Sequence, residues 1–153
     1  MTRAEIARDY FEKGYACSQA VALAFRDLTN IDEESMTKLT LPLGGGLGRL
    51  RLTCGAISGM AVVAGLILGK GINSNENKIE MYEITRELVN RFKEVHHTII
   101  CEELLSRPNV MVEIGGNPDP RTKEYYEKRP CGLIVYNAAK VLEDYLKEKN
   151  IAI

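Results

Sequence analysis

Four cysteines, Cys17, Cys54, Cys101 and Cys131, are the residues of this chain best equipped for chemistry. A thiolate attacks disulfides and binds soft metals, whereas a thiol with neither task packs as a small hydrophobe. Their separations of 37, 47 and 30 residues exclude a CxxC redox loop and the paired knuckles of a zinc finger. Spacing alone therefore gives no motif, and any site that uses all four must be assembled by the fold. The only histidines are His96 and His97, and no tryptophan is present.

The setting narrows what these thiols can do. The opening residues, MTRAEIARDYFEKGY, mix acids and bases with single apolar residues, so the apolar core of a secretory signal is missing. A cytoplasmic location is expected, where glutathione and thioredoxin keep thiols reduced and a permanent disulfide framework is disfavoured. The most apolar stretch, GMAVVAGLILG over 59–69, falls far short of the roughly 20 residues that span a bilayer. With 20 Lys and Arg against 21 Asp and Glu there is no basic footprint for nucleic acid. A chain of 153 residues with 45% hydrophobic and 27% charged residues reads as a single domain over 1–153.

Apolar residues recur at spacings of 3 and 4 from end to end, and no long period-2 alternation appears, so the expected fold is all-α, a compact bundle of about five to seven helices. Helices are predicted over about 3–13, opened by a Thr2 and Glu5 capping box, over about 16–28, and over about 32–41, stopped by Pro42 and a glycine cluster. A helix over about 54–68 carries small residues that let neighbours approach, and it is expected at the centre of the bundle and as a candidate homodimer face. The longest, over about 75–95, has an inward stripe of Met81, Ile84, Leu88, Phe92 and Val95. A short turn over 101–106 precedes an irregular stretch over 107–120, where Val110, Val112 and Ile114 form a brief extended piece, and a last helix runs over about 130–149.

On this framework all four cysteines fall in or beside a first helical turn. There the unpaired N–H groups and the positive end of the helix dipole favour a thiolate. Each also leads an apolar stripe and should point inward. If the helix starts meet at one end of the bundle, four sulfurs converge into a metal or cluster site. The competing reading is plain burial, since free cysteine is among the most buried residue types.

The segment Thr53-Cys54-Gly55-Ala56-Ile57-Ser58-Gly59 resembles the CGAxxG signature of the C_GCAxxG_C_C family. Its companions stand in order: Gly14-Tyr15-Ala16-Cys17-Ser18-Gln19-Ala20-Val21, the loop over 44–48, Cys101-Glu102-Glu103-Leu104, and Cys131 near the last helix. The resemblance covers nearly the whole chain and implies redox activity resting on the four cysteines. A related domain of split-Soret cytochromes c implies a non-haem iron or iron-sulfur centre. Four thiolates are the usual complement of an iron-sulfur cluster and suit zinc equally in number. Covalently attached haem is not expected, because no C-x-x-C-H occurs.

Three readings stay open: an electron-transfer or redox protein whose Cys17, Cys54, Cys101 and Cys131 hold an iron-sulfur cluster or other metal, with an unidentified redox partner; a metal-free thiol/disulfide protein with Cys54 as nucleophile behind a flexible loop; and a structural or interaction module with packed cysteines. His97 with Cys101 would make a mixed zinc site, but histidines at a helix C-terminus more simply serve its dipole. The LGGGLGRL loop with Arg49 and Arg51 lacks both GxGxxG and GK[ST] and is read as a flexible lead into the Cys54 helix rather than a phosphate cradle. The 107–120 stretch is read as a surface loop, with a cover over the site as the alternative.

Overall fold

Thr2 opens α1 (Arg3–Glu12): its hydroxyl accepts the Glu5 amide at 3.1 Å while Glu5 accepts the Thr2 N–H at 2.8 Å, the reciprocal capping box expected. In this computed structural model, which describes residues 1–153, seven more helices follow: α2 (Cys17–Ala24), α3 (Glu33–Thr40), α4 (Gly55–Leu68), α5 (Asn75–His96), α6 (Cys101–Leu105), α7 (Lys123–Lys128) and α8 (Cys131–Glu148). Asp32, Ser74 and Thr122 cap α3, α5 and α7 by accepting the amides of Ser35, Asn77 and Tyr125. The protein is all-α, with one helix beyond the expected number: α7 is short and polar, and only its Thr122 cap announces it. No strand forms over 110–114, and a single antiparallel bridge joins Thr53 to Ile100.

The central element is α2, not the small-residue helix expected there. Every residue from Ser18 to Ala24 is buried, because α1, α4 and α8 enclose it and α3 crosses its outer side. Glycines set the distance between α2 and α4: a Cβ on Gly59 would collide with the Ser18 carbonyl. Two buried polar side chains of α2 bond to α3, Ser18 donating to Thr40 O at 2.6 Å and Gln19 to Thr37 O at 3.0 Å. The C-terminal half of α4 emerges at the surface, where Leu66 is exposed.

Phe11, Val21, Phe25, Met36, Met60, Leu88, Phe92, Val135, Leu142 and Leu146 fill the core. Of the α5 stripe, Leu88 and Phe92 are buried, Met81 and Ile84 are partly covered, and Val95 is exposed on the rim of the groove between α5 and α8. No helix is long and apolar enough to cross a membrane.

Candidate functional site

The cysteines mark helix starts as expected: Cys17, Cys101 and Cys131 are the first residues of α2, α6 and α8, and Cys54 caps α4. Two of them are brought together by a short backbone pairing. Cys54 N–H donates to Ile99 O at 2.7 Å, and Cys101 N–H donates to Leu52 O at 2.6 Å, on either side of the Thr53 and Ile100 bridge. Cys17 lies against α4 because Gly55 has no side chain, and a Cβ there would stand 2.5 Å from the Cys17 Sγ.

All four thiols line one cavity of about 500 Å³. Cys54 and Cys101 are buried, and Cys17 and Cys131 are partly exposed. The cavity walls are apolar at Phe11, Leu104, Leu105 and Ile134 and cationic at Arg49, Arg51, Arg121 and Arg129, with Asp119 among them. The sulfurs share the cavity without closing on one point: no three His, Cys, Asp or Glu side chains are grouped as a single metal ion requires.

The glycine loop is a fixed turn of unusual hand. After the turn Leu41–Leu43, the five residues Gly45, Gly46, Leu47, Gly48 and Arg49 all have φ between +55° and +72°, and Arg51 has φ +60°. Each non-glycine residue held this way costs about 1–2 kcal/mol. The turn is tied by Gly48 N–H to Pro42 O at 2.9 Å, Arg51 N–H to Gly45 O at 3.0 Å and Leu52 N–H to Gly46 O at 2.9 Å. It leaves no room at Gly46, where a Cβ would lie 2.7 Å from Cys101 Cβ and 2.6 Å from the Leu52 nitrogen. The expected flexible lead is thus a rigid bracket that buries the side chains of Arg49 and Arg51 beside the thiols.

Charge is distributed unevenly over this bracket. Arg51 donates from Nε to Glu113 O at 2.9 Å and from Nη1 toward Cys101 Sγ at 3.8 Å. Arg129 pairs with Asp119 at 2.7 Å. Arg121 donates to Phe11 O and Tyr15 O and lies over the rings of Phe11 and Tyr125, 4.5 and 4.9 Å from their centroids. Arg49 has no hydrogen-bond partner for Nε, Nη1 or Nη2, all three buried. Its nearest carboxylates, Asp119 at 3.7 Å and Glu113 at 3.9 Å, attract it without hydrogen bonding.

The stretch over 107–120 is a wall of the cavity rather than a free surface loop. Gly115 N–H donates to Arg49 O at 2.8 Å, Glu113 O receives Arg51, and Gly116, Pro118 and Asp119 face the cavity.

The thiols differ in charge. Hydrogen bonding from the Cys54 thiol brings Cys17 down to about 6 against the opposing effect of burial, helped by the Gly45 and Ser18 N–H groups and by Arg121. Cys54 is correspondingly raised, by Cys17 first and by burial second. Burial raises Cys101 despite Arg51, and raises Cys131 to about 12 with the Cys17 charge adding to it. A helix start alone therefore does not make a thiolate: Cys17 is lowered chiefly by the Cys54 hydrogen bond, while Cys17 raises Cys54 and desolvation raises Cys101 and Cys131.

The histidines lie elsewhere. His96 stacks on Phe92 with centroids 4.6 Å apart, its Nε2 is 2.9 Å from Asn137 Nδ2, and burial lowers its pKa. His97 ends α5 in a left-handed conformation. Sequence reasoning missed Arg121, Tyr125, Arg129 and Asp119, which reach the cavity from α7 and its flanks. Their only signal was the alternation of arginine and tyrosine after three prolines.

The fold and the site together define an all-helical protein that gathers four cysteines around one cavity. The chain belongs to the family described as "Putative redox-active protein (C_GCAxxG_C_C)", whose model matches residues 15–145. No curated protein and no solved structure matches it.

Proposed function

We propose that this protein is a thiol/disulfide redox protein whose working pair is Cys17 and Cys54. The observation that supports this is their closeness at the start of α4: the Cys17 sulfur lies against Gly55, the residue next to Cys54, and the hydrogen bond between the two thiols lowers Cys17 and raises Cys54. Cys17 is also the more exposed of the two. The attacking sulfur is therefore Cys17 rather than Cys54, which is buried and protonated.

The Cys17 thiolate attacks one sulfur of a disulfide substrate, forming a mixed disulfide and expelling the other sulfur as a thiolate. Cys54 then loses its proton to the departing sulfur and attacks Cys17, which releases the second substrate thiol. The substrate gains two electrons from the two sulfurs and one proton from Cys54, water supplies the other proton, and the protein is left with a Cys17–Cys54 disulfide. The Gly45 and Ser18 N–H groups that stabilise the Cys17 thiolate also make it a good leaving group in the reverse direction.

A second reading, an iron-sulfur cluster held by Cys17, Cys54, Cys101 and Cys131, draws support from the common cavity and its four arginines. Such a group would supply one-electron transfer. The arginines would offset the charge of four thiolates, and Gly55 and Gly46 keep the walls beside Cys17 and Cys101 clear. The unclustered donors make this arrangement a poorer fit for a single zinc ion.

Anaerobic purification followed by metal and acid-labile sulfide analysis, visible absorption and thiol titration separates the two readings. A metal-free chain that loses two thiols on oxidation, with Cys17 and Cys54 joined in a peptide map, meets the first. Iron with stoichiometric sulfide replaces it by the second, and four inert thiols remove both.

A further inference from the structure

The buried guanidinium of Arg49 is the one cavity cation without a hydrogen-bond partner. Arg51, Arg121 and Arg129 each have their own acceptors. Arg49 is held in place at some cost, by a left-handed backbone at φ +64° and by Gly115 bonded to its carbonyl. A side chain that merely tied the 107–120 wall down would meet Glu113 or Asp119 at hydrogen-bond distance, and both stop short at 3.9 and 3.7 Å. The guanidinium presents a planar fork of donors that matches an oxyanion. Arg49 also adjoins Cys17 through one residue: Gly45 gives its N–H to the Cys17 sulfur, and its other face meets Arg49 Cγ, where a Cβ would stand at 2.8 Å.

We infer that the thiol cavity contains an oxyanion subsite anchored on Arg49, and that the small molecule brought to the thiols carries a carboxylate, phosphate or sulfate group. The subsite stands on the unpartnered guanidinium alone, and only its alignment with Cys17 rests on the redox reading. A neutral substrate would leave three buried donors unsatisfied, whereas an oxyanion satisfies at least two with a bidentate contact.

The probe is sodium sulfate, added to the reduced full-length chain at constant ionic strength. The unfolding midpoint of the wild-type protein should rise with sulfate and saturate. Arg49→Met should show no saturable rise and should unfold at the same temperature as the wild type or higher, because it removes a buried charge whose donors have no hydrogen-bond partner. A rise of equal size in both proteins, or an Arg49→Met protein that is destabilised while the wild type ignores sulfate, would overturn the subsite.

A second measurement needs no variant to fold. Sulfate should protect wild-type Cys17 from iodoacetate, and protection that fails to saturate or is absent counts against the proposal. The wild-type preference for iodoacetate over neutral iodoacetamide should exceed that of Arg49→Gln by about tenfold, the worth of a charge-assisted hydrogen bond. Arg49→Lys should recover part of it. Sulfate binding in a chain that never forms the Cys17–Cys54 disulfide would sink the redox reading and leave the subsite standing. A disulfide-forming chain blind to sulfate would do the reverse.

Discussion

At Cys17 burial and solvation oppose each other, and the donors supplied by Cys54, Gly45 and Ser18 outweigh the loss of water. Alkylation of the native protein by iodoacetamide should accordingly show one fast thiol, Cys17, whose rate rises through a midpoint near pH 6. Replacing Cys54 by Ala removes the strongest of those donors and should move the midpoint up toward an ordinary thiol. A profile unchanged in that variant would show that the Cys54 hydrogen bond is irrelevant. Cys131 makes the opposite statement. Burial pushes its folded pKa up to about 12 from an ordinary value of 9.0, so the unfolded chain releases this proton first. The contribution to stability is full below about pH 9 and is lost as pH climbs toward 12. Cys131→Ala should flatten that alkaline loss in denaturant titrations at a series of pH values. The position of both residues at helix starts was legible in the sequence. Their opposite ionisation was not, because it depends on which sulfur has donors in three dimensions.

Among the elements, the left-handed turn over 45–49 does the most to shape the site. A run of glycines announces freedom in φ, but it does not say which sign the chain adopts, nor that Leu47, Arg49 and Arg51 will be held there too. The helices other than α7, by contrast, were readable from caps and 3–4 periodicity, with boundaries within a few residues. Gly46→Ala should destabilise the fold by at least about 1–2 kcal/mol from its positive φ, with the clash against Cys101 and the Leu52 amide adding to that. Urea unfolding measures it. Gly55→Ala is informative for a different reason. Alanine ordinarily favours a helix over glycine by about 0.5–1 kcal/mol, yet here its methyl group meets the Cys17 sulfur. Loss of the fast, low-pH alkylation in a protein that still folds is the expected outcome, and retention of it would mean that Cys17 can shift without consequence.

Across the whole molecule the cavity is built by segments from both ends of the chain: α1 and α2 meet α8, and the 107–120 wall reaches back to the glycine turn. Such convergence is invisible to spacing in sequence, which is why the arginines of the site were not found with its cysteines. Asp119 is the clasp of that wall, paired with Arg129 and near Arg49 and Arg51. Asp119→Asn should loosen it, and faster alkylation of Cys101 and Cys131 without loss of helical circular dichroism would register the effect. The distance along the chain between the proposed partners has a further consequence. A bond between Cys17 and Cys54 closes a loop spanning 37 residues, and a closure of that size removes enough freedom from the unfolded chain to contribute about 3–5 kcal/mol. Oxidation would then be recorded as conformational entropy. The oxidised chain would outlast the reduced one in the presence of a protease, so that the potential of the surroundings would set the lifetime of the molecule as well as the state of its thiols.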